Sequence, residues 1–189
     1  WTLYKKEVLR FLIVWIQTLF SPLITSLLFL SVLSLAIGNE RGDVLGVPFI
    51  VFLAPGLIAM QIIQQAFSHS SSSFMIGKIQ GNIVDLIYAP LSAGEVTLAV
   101  TLASVTRSVL IAIISLLVFY LFIDLEIKNF VTLIVFTLLS AFSLGALGII
   151  AGLWAEKFDH MATVTNFIII PLSFLSGTFY SIERLPEVL

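Results

Sequence analysis

Five long apolar runs alternate with short polar intervals along this chain, and that alternation predicts membrane-crossing helices joined by loops. The first run covers about 22–37, with Pro22 well placed as an early helical residue, and GNERGD at 38–43 reads as a loop. The second covers about 48–68 and contains Pro55-Gly56, which predicts a kink or break that neighbouring helices must resatisfy. The third, fourth and fifth cover about 96–122, 130–155 and 161–179. Ahead of the first run, residues 1–20 set Lys5, Lys6, Glu7 and Arg10 beside Leu3, Leu9, Phe11, Leu12 and Trp15. This is the pattern of an amphipathic helix lying in the membrane interface. The last residues, 180–189, are too short and too charged to span and read as an outer or re-entrant segment.

The longest polar interval, 69–95, has an internal order of its own. Four serines at 70–73 follow His69, a short apolar turn covers 74–79, and Gly81-Asn82 breaks the chain. Asn82 as N-cap, Asp85 in the first turn and Pro90 as a stop predict a helix of about two turns, with Ile83, Leu86, Ile87 and Leu91 on one face. Ser92 and Glu95 form an S-x-x-E capping box that starts the next helix. The segment is either a connector lying on the membrane surface or a docking helix for a partner. The serines read as residues that cap and loosen a helix end, since no base stands near them in sequence, and His69 reads as a wetted boundary residue without a role.

Composition sharpens this picture. Hydrophobic residues make up 59% of the chain and charged residues 11%, with a mean hydropathy of +1.14. The class is therefore an all-α polytopic membrane protein. Absence of cysteine excludes disulfides and thiolate metal sites, and two histidines far apart in sequence argue against a metal centre. With the N-terminus inside, Lys5, Lys6, Arg10, Lys78, Arg107 and Lys157 fall on the cytoplasmic half, against Arg41, Lys128 and Arg184 outside. That orientation puts 69–95 and 156–160 in the cytoplasm. Phe119, Tyr120, Phe122, Phe179 and Tyr180 then mark the outer interface, and Trp15 and Trp154 the inner one. The run after Lys5, Lys6 and Arg10 is too long for a cleavable signal peptide. A chain opening on Trp1 rather than Met reads as an excerpt of a longer protein.

Candidate chemistry is sparse. Arg107 stands about twelve residues past Glu95, roughly 18 Å along a helix. It either lines a polar pathway or snorkels to headgroups from a helix that starts well inside the cytoplasm. Gln61, Gln64 and Gln65 share one face of the second span, and Asn166 lies in the inner half of the fifth. These side chains form a pathway with Arg107 or act as interhelical hydrogen-bond glue, at about 1 kcal/mol per contact. Gly145, Gly148 and Gly152, with Ala141 and Ala151, make a close-approach face on the fourth span, for packing within the chain or between subunits. No Asp or Glu lies within a predicted hydrophobic core, so the usual proton-relay carboxylate is missing. Nor is there a P-loop. An energy source must come from a partner, or transport is passive; no nucleic-acid partner is expected.

Three segments resemble the membrane permease subunit of ABC-2 type ATP-binding-cassette exporters, in the bacterial drug, nodulation-factor and polysaccharide export branch. They are Phe52-Leu53-Ala54-Pro55-Gly56-Leu57, then Asp85-Leu86-Ile87-Tyr88-Ala89-Pro90-Leu91-Ser92, and Pro171-Leu172-Ser173-Phe174-Leu175-Ser176-Gly177-Thr178-Phe179-Tyr180 followed by Leu185-Pro186. The resemblance implies a six-span permease of the bacterial inner membrane, so that a sixth helix is expected beyond this chain. It further implies pairing with a second copy, as a homodimer, each copy seated on a separate ATP-binding subunit that holds ATP and Mg. This chain itself then binds no cofactor and is no enzyme. In the family the loop matching 74–92 carries a coupling helix. Ile83, Leu86, Ile87 and Tyr88 would be its buried anchors, with Asp85 and Lys78 on the rim. The cargo class implied is an amphipathic drug, lipid-linked sugar or polysaccharide, moved outward. The residues alone also allow a membrane scaffold or passive channel without an ATPase.

Overall fold

The computed structural model describes residues 1–37, 44, 46–125, 129–175 and 178. The loop expected at 38–43 and the segment 180–189 lie outside these residues, as do Arg41, Lys128, Phe179, Tyr180 and Arg184. Among the described residues eight α-helices follow in order: α1 (Thr2–Ile13), α2 (Ser21–Ile37), α3 (Phe49–Ile79), α4 (Ile83–Tyr88), α5 (Ala93–Tyr120), α6 (Phe130–Trp154), α7 (Phe158–Val164) and α8 (Ile170–Leu175). Among the described residues the only β pairing is an isolated bridge between Val44 and Val47. Five helical segments among the described residues are long and apolar enough to cross a membrane, in keeping with the five apolar runs.

Their limits differ from the expected ones for local reasons. The interfacial helix ends at Ile13, and the first crossing segment begins at Ile16 rather than Pro22. A π-turn over Ile16–Phe20 leads directly into α2. Pro22 lacks the N–H that would donate to the carbonyl four residues back, and the ladder changes register there. A second π-turn, Thr165–Ile169, joins α7 to α8 into one segment, Phe158–Leu175.

The largest correction concerns the polar interval. Helix α3 does not end at residue 68 but continues unbroken through the serines to Ile79, 31 residues in all. It also passes through Pro55 without a break; Pro55 faces outward, where its missing hydrogen bond and ring do least harm to packing. Ser70 and Ser71 are buried, and Ser71 Oγ donates to the carbonyl of Phe67 at 2.7 Å, within the helix. Instead of loosening a helix end, the serines are small enough to let α6 approach.

That approach brings two helix backbones into contact. Helix α3 packs most extensively on α6 and next on α5. A Cβ placed on Gly148 would lie 2.5 Å from the Phe67 carbonyl oxygen, and one on Gly152 would lie 2.7 Å from that of Ser71. The glycine face of α6 is therefore filled within this chain, with backbones in contact. At the end of the bundle that carries α4, the Lys78 ammonium donates to the carbonyls of Leu153 and, at 2.9 Å, Ala155. There it closes the last turn of α6, where a cation also meets the helix dipole, a contribution of about 0.3–1 kcal/mol. The main core gathers Leu53, Ala54, Leu57 and Ile62 of α3 with Phe119 of α5 and Ala141 of α6. Phe119, expected at the outer interface, is wholly buried, while Tyr120 and Phe122 face outward.

Candidate functional site

Two features of the α4 end combine exposure or charge with order. The first is α4 itself. After α3, Gly81 turns the chain with φ +75°, a conformation that costs glycine nothing extra. Asn82 precedes α4 but makes no cap bond to it; its side-chain amide donates to Gln80 Oε1 at 3.1 Å. The capping box at the start of α5 is formed in full: the Ser92 amide donates to Glu95 Oε2 at 2.7 Å, and the Glu95 amide to Ser92 Oγ at 3.3 Å. This six-residue helix is thus fixed at both ends by its neighbours.

Its apolar side chains divide. Ile83 and Leu86 turn inward and pack on Phe74 and Val100. Ile87 and Tyr88 point away, 73% and 85% exposed, beside Val84 and Asp85. Of the residues expected to anchor a partner, Ile83 and Leu86 hold α4 to its own chain, and Lys78 is engaged at the end of α6. The free face is Val84, Ile87 and Tyr88, edged by Asp85.

The second feature is a polar junction of α1, α3 and α5. Glu7 is only 4% exposed, and Arg10 Nε donates to its Oε2 at 3.0 Å. Arg10 also donates from Nη2 to the His69 carbonyl at 3.0 Å and from Nη1 to Ser72 Oγ at 3.5 Å. His69, expected to be wetted, is completely buried, with Phe11 edge-on at 5.7 Å between ring centroids. Neither of its ring nitrogens has a hydrogen-bond partner among the described residues; Glu7 Oε2 stands 3.8 Å from Nε2, too far for a hydrogen bond. Tyr4 Oη and Thr106 Oγ1 are 2.8 Å apart, so α1 lies against α3 near residue 69 and against α5 near residue 106. A sequence signal for this junction did exist. Glu7 and Arg10 are three apart, one face of a helix, and a carboxylate on the otherwise cationic side of an amphipathic helix calls for a partner.

Arg107 follows Thr106 and donates from Nη2 to Gln65 Oε1 at 2.5 Å. Its depth is that of the amphipathic helix, which favours the boundary reading over a mid-membrane one. The glutamines run to three different places. Gln61 is buried, donating to Ser26 Oγ of α2 and accepting from Ser115 Oγ of α5 at 2.9 Å. Gln64 donates to Ser173 Oγ of α8 at 3.1 Å. Gln65 meets Arg107. Asn166 faces outward on the second π-turn, and no hydrogen bond joins it to these groups among the described residues. Gly148 and Gly152 meet α3 at Phe67, Ser70 and Ser71, whereas Gly145 meets Thr101 and Ser104 of α5.

Five membrane-length helices, an amphipathic helix tied against them and a short apolar helix held outward define a polytopic all-α membrane protein. Residues 1–189 match the family model for the ABC-2 type transporter, and the chain belongs to that family. It is 31% identical over 185 residues to the inner membrane transport permease YadH of Escherichia coli (strain K12), covering 98% of this chain and 72% of that protein. The protein of the same name from Shigella flexneri gives the same figures. No solved structure matches. The chain is accordingly a multi-pass inner-membrane transporter subunit.

Proposed function

We propose that the chain is the permease half of an exporter whose ATP, with Mg, is held by a separate ATP-binding subunit docked on α4. The observation that carries this reading is the outward pair Ile87 and Tyr88, presented on a short helix at the tip of α3. Helix α3 has 31 residues, about 46 Å at 1.5 Å per residue, against a hydrocarbon core of about 30 Å. Its last third therefore stands clear of the hydrocarbon core, and being unbroken it moves as one body with the membrane part. A push on α4 would tilt α3, and with it α6 and α5, opening a path between this copy and a second one. The N-terminus is cytoplasmic in this reading, and cargo, an amphipathic drug, lipid-linked sugar or polysaccharide, moves outward. Gln61, Gln64 and Gln65 hold the resting positions of α2, α5 and α8, and their bonds, with that of Arg107, would exchange as the path opens.

The test is affinity capture of the full-length protein from mild detergent, with and without Ile87→Asp. Parent protein is expected to bring down a P-loop ATPase and to stimulate its hydrolysis with cargo. Ile87→Asp is expected to insert normally and to lose both. Leu86→Asp is a poorer probe, because Leu86 packs inward and its loss also disturbs the chain. Unimpaired coupling in Ile87→Asp would sink the docking model. An absence of ATPase from both samples would leave a scaffold or passive channel.

A further inference from the structure

Between α1, the end of α3 and α4 lies a cavity of about 110 Å³, lined by Lys6, Glu7 and Arg10 on one side, by Ser73 and Asn82 on another, and by Ile83 and Leu86 of α4. It is several times the space one water needs and admits a group of phosphate size. We propose that this cavity is a site for the phosphate headgroup of an anionic phospholipid, drawn from the leaflet in which α1 lies.

Charge is the first argument. Lys5, Lys6 and Arg10 of α1 and Arg107 behind it stand against a single carboxylate, Glu7, which is already paired with Arg10. The other acids of this region do not line the cavity: Asp85 faces out from α4, and Glu95 accepts from the Ser92 amide and hydroxyl at the start of α5. Lys6 forms no ion pair with any described residue. Arg10 engages three of its N–H donors and, with five in all, keeps others for a ligand. The ligand chemistry that answers this set is an oxyanion able to take several N–H and O–H donors at once.

Position is the second argument, and it selects the lipid over a soluble anion. Helix α1 carries outward-facing Leu9, Leu12 and Ile13 and leads to outward Trp15, so it rests in the interface. The cavity sits beside its cationic turn, at headgroup depth, where basic residues are attracted to the anionic leaflet. The cavity wall is predominantly apolar, with Leu3, Ile83, Leu86 and Val100; this suits the glycerol and first methylenes of a lipid and would leave a fully hydrated ion poorly solvated. Since Ile83 and Leu86 are the residues that seat α4, a headgroup here would brace α4 from below. The site itself needs only this chain; the bracing effect on coupling rests on the docking reading above.

The experiment uses the full-length permease alone, purified in detergent and incubated with phosphatidylglycerol or phosphatidylcholine, with retained lipid counted by native mass spectrometry. Two variants probe the site. Lys6→Ala removes an exposed cation. Gly77→Leu puts volume into the cavity, and its Cβ meets nothing closer than Ile83 at 3.9 Å, an ordinary contact. The parent is expected to retain phosphatidylglycerol about fivefold over phosphatidylcholine, the preference one surface lysine can supply. Both variants, monodisperse and helical as the parent, are expected to lose the preference. Equal retention of the two lipids by the parent would overturn the proposal, as would a preference unchanged in both variants. Displacement of the lipid by inorganic phosphate at an equal concentration would also overturn it, naming a soluble anion as the occupant. None of these outcomes depends on an ATPase, so a failure here is distinct from a failure of docking.

Discussion

Against α6, helix α3 offers Ser70, Ser71 and the backbone carbonyls of Phe67 and Ser71 to bare glycines. Against α1 and α5 the same stretch offers Gln65, the His69 carbonyl and Ser72 to two guanidinium groups. One seam is made by the absence of side chains and the other by their charges, and they lie on two sides of one helix within about two turns. The contrast separates two kinds of fragility. A seam of close backbones has nothing to lose by truncation and everything to lose by added volume. A buried charge seam tolerates volume better than the loss of one partner, because the partner left behind is stranded.

The largest effect should come from adding volume to the first seam. Gly148→Val places a Cβ at 2.5 Å from the Phe67 carbonyl oxygen, a contact that only movement of α3 or α6 can relieve. A loss of about 3 kcal/mol or more is expected, seen as a collapse of the monodisperse peak in size-exclusion chromatography after mild heating. Gly94→Val is the control, since nothing lies within 4 Å of its Cβ position. If Gly148→Val melts with Gly94→Val, the helices are not in backbone contact and the first half of the contrast is lost.

The second seam should respond to removal. Arg10→Ala leaves Glu7, 4% exposed, without its counter-ion, at an expected cost of about 3 kcal/mol. Adding Glu7→Gln to that variant removes the stranded charge and should recover most of the loss. A double-mutant cycle on thermal stability in detergent measures the coupling. A cost below about 0.5 kcal/mol for Arg10→Ala would class the pair with exposed surface ion pairs. The charge seam would then be no seam.

How much of this is legible in the sequence differs between the same two regions. The glycine face of α6 is plain, because Gly148 and Gly152 are four apart and glycine in a membrane helix has few other uses. Its complement is not. The serines at 70–73 read as a helix end because in water serine competes for its own backbone; in α3 the hydroxyl of Ser71 bonds back to Phe67 while the helix continues. Five apolar runs and the Ser92–Glu95 box are visible from local chemistry alone. The split of α4 into an inward pair and an outward pair is not, since Ile83, Leu86 and Ile87 share a helical face and only the position of Phe74 and Val100 decides which turns in. Likewise Lys78 is a boundary lysine by sequence, and its capping of α6 depends on a neighbour 75 residues away.

His69 belongs to the charge seam by its backbone carbonyl but not by its ring, and it offers the finest test. It is fully buried, its ring packs edge-on to Phe11, and neither nitrogen has a hydrogen-bond partner among the described residues. A polar group buried without a partner gains nothing from its polarity. His69→Leu, of similar volume, is therefore expected to shift stability by less than about 1 kcal/mol in either direction, far less than Arg10→Ala. Arg10 holds the backbone carbonyl of residue 69, which the substitution keeps. Should His69→Leu cost as much as Arg10→Ala, the 3.8 Å approach of Glu7 Oε2 to Nε2 is an ion pair in the working protein. The imidazole would then join the charge seam, whose count of cations against the one carboxylate would rise further. Should it cost nothing, His69 is packing, its ring edge-on to Phe11 of α1 while its backbone carbonyl alone joins the charge seam through Arg10.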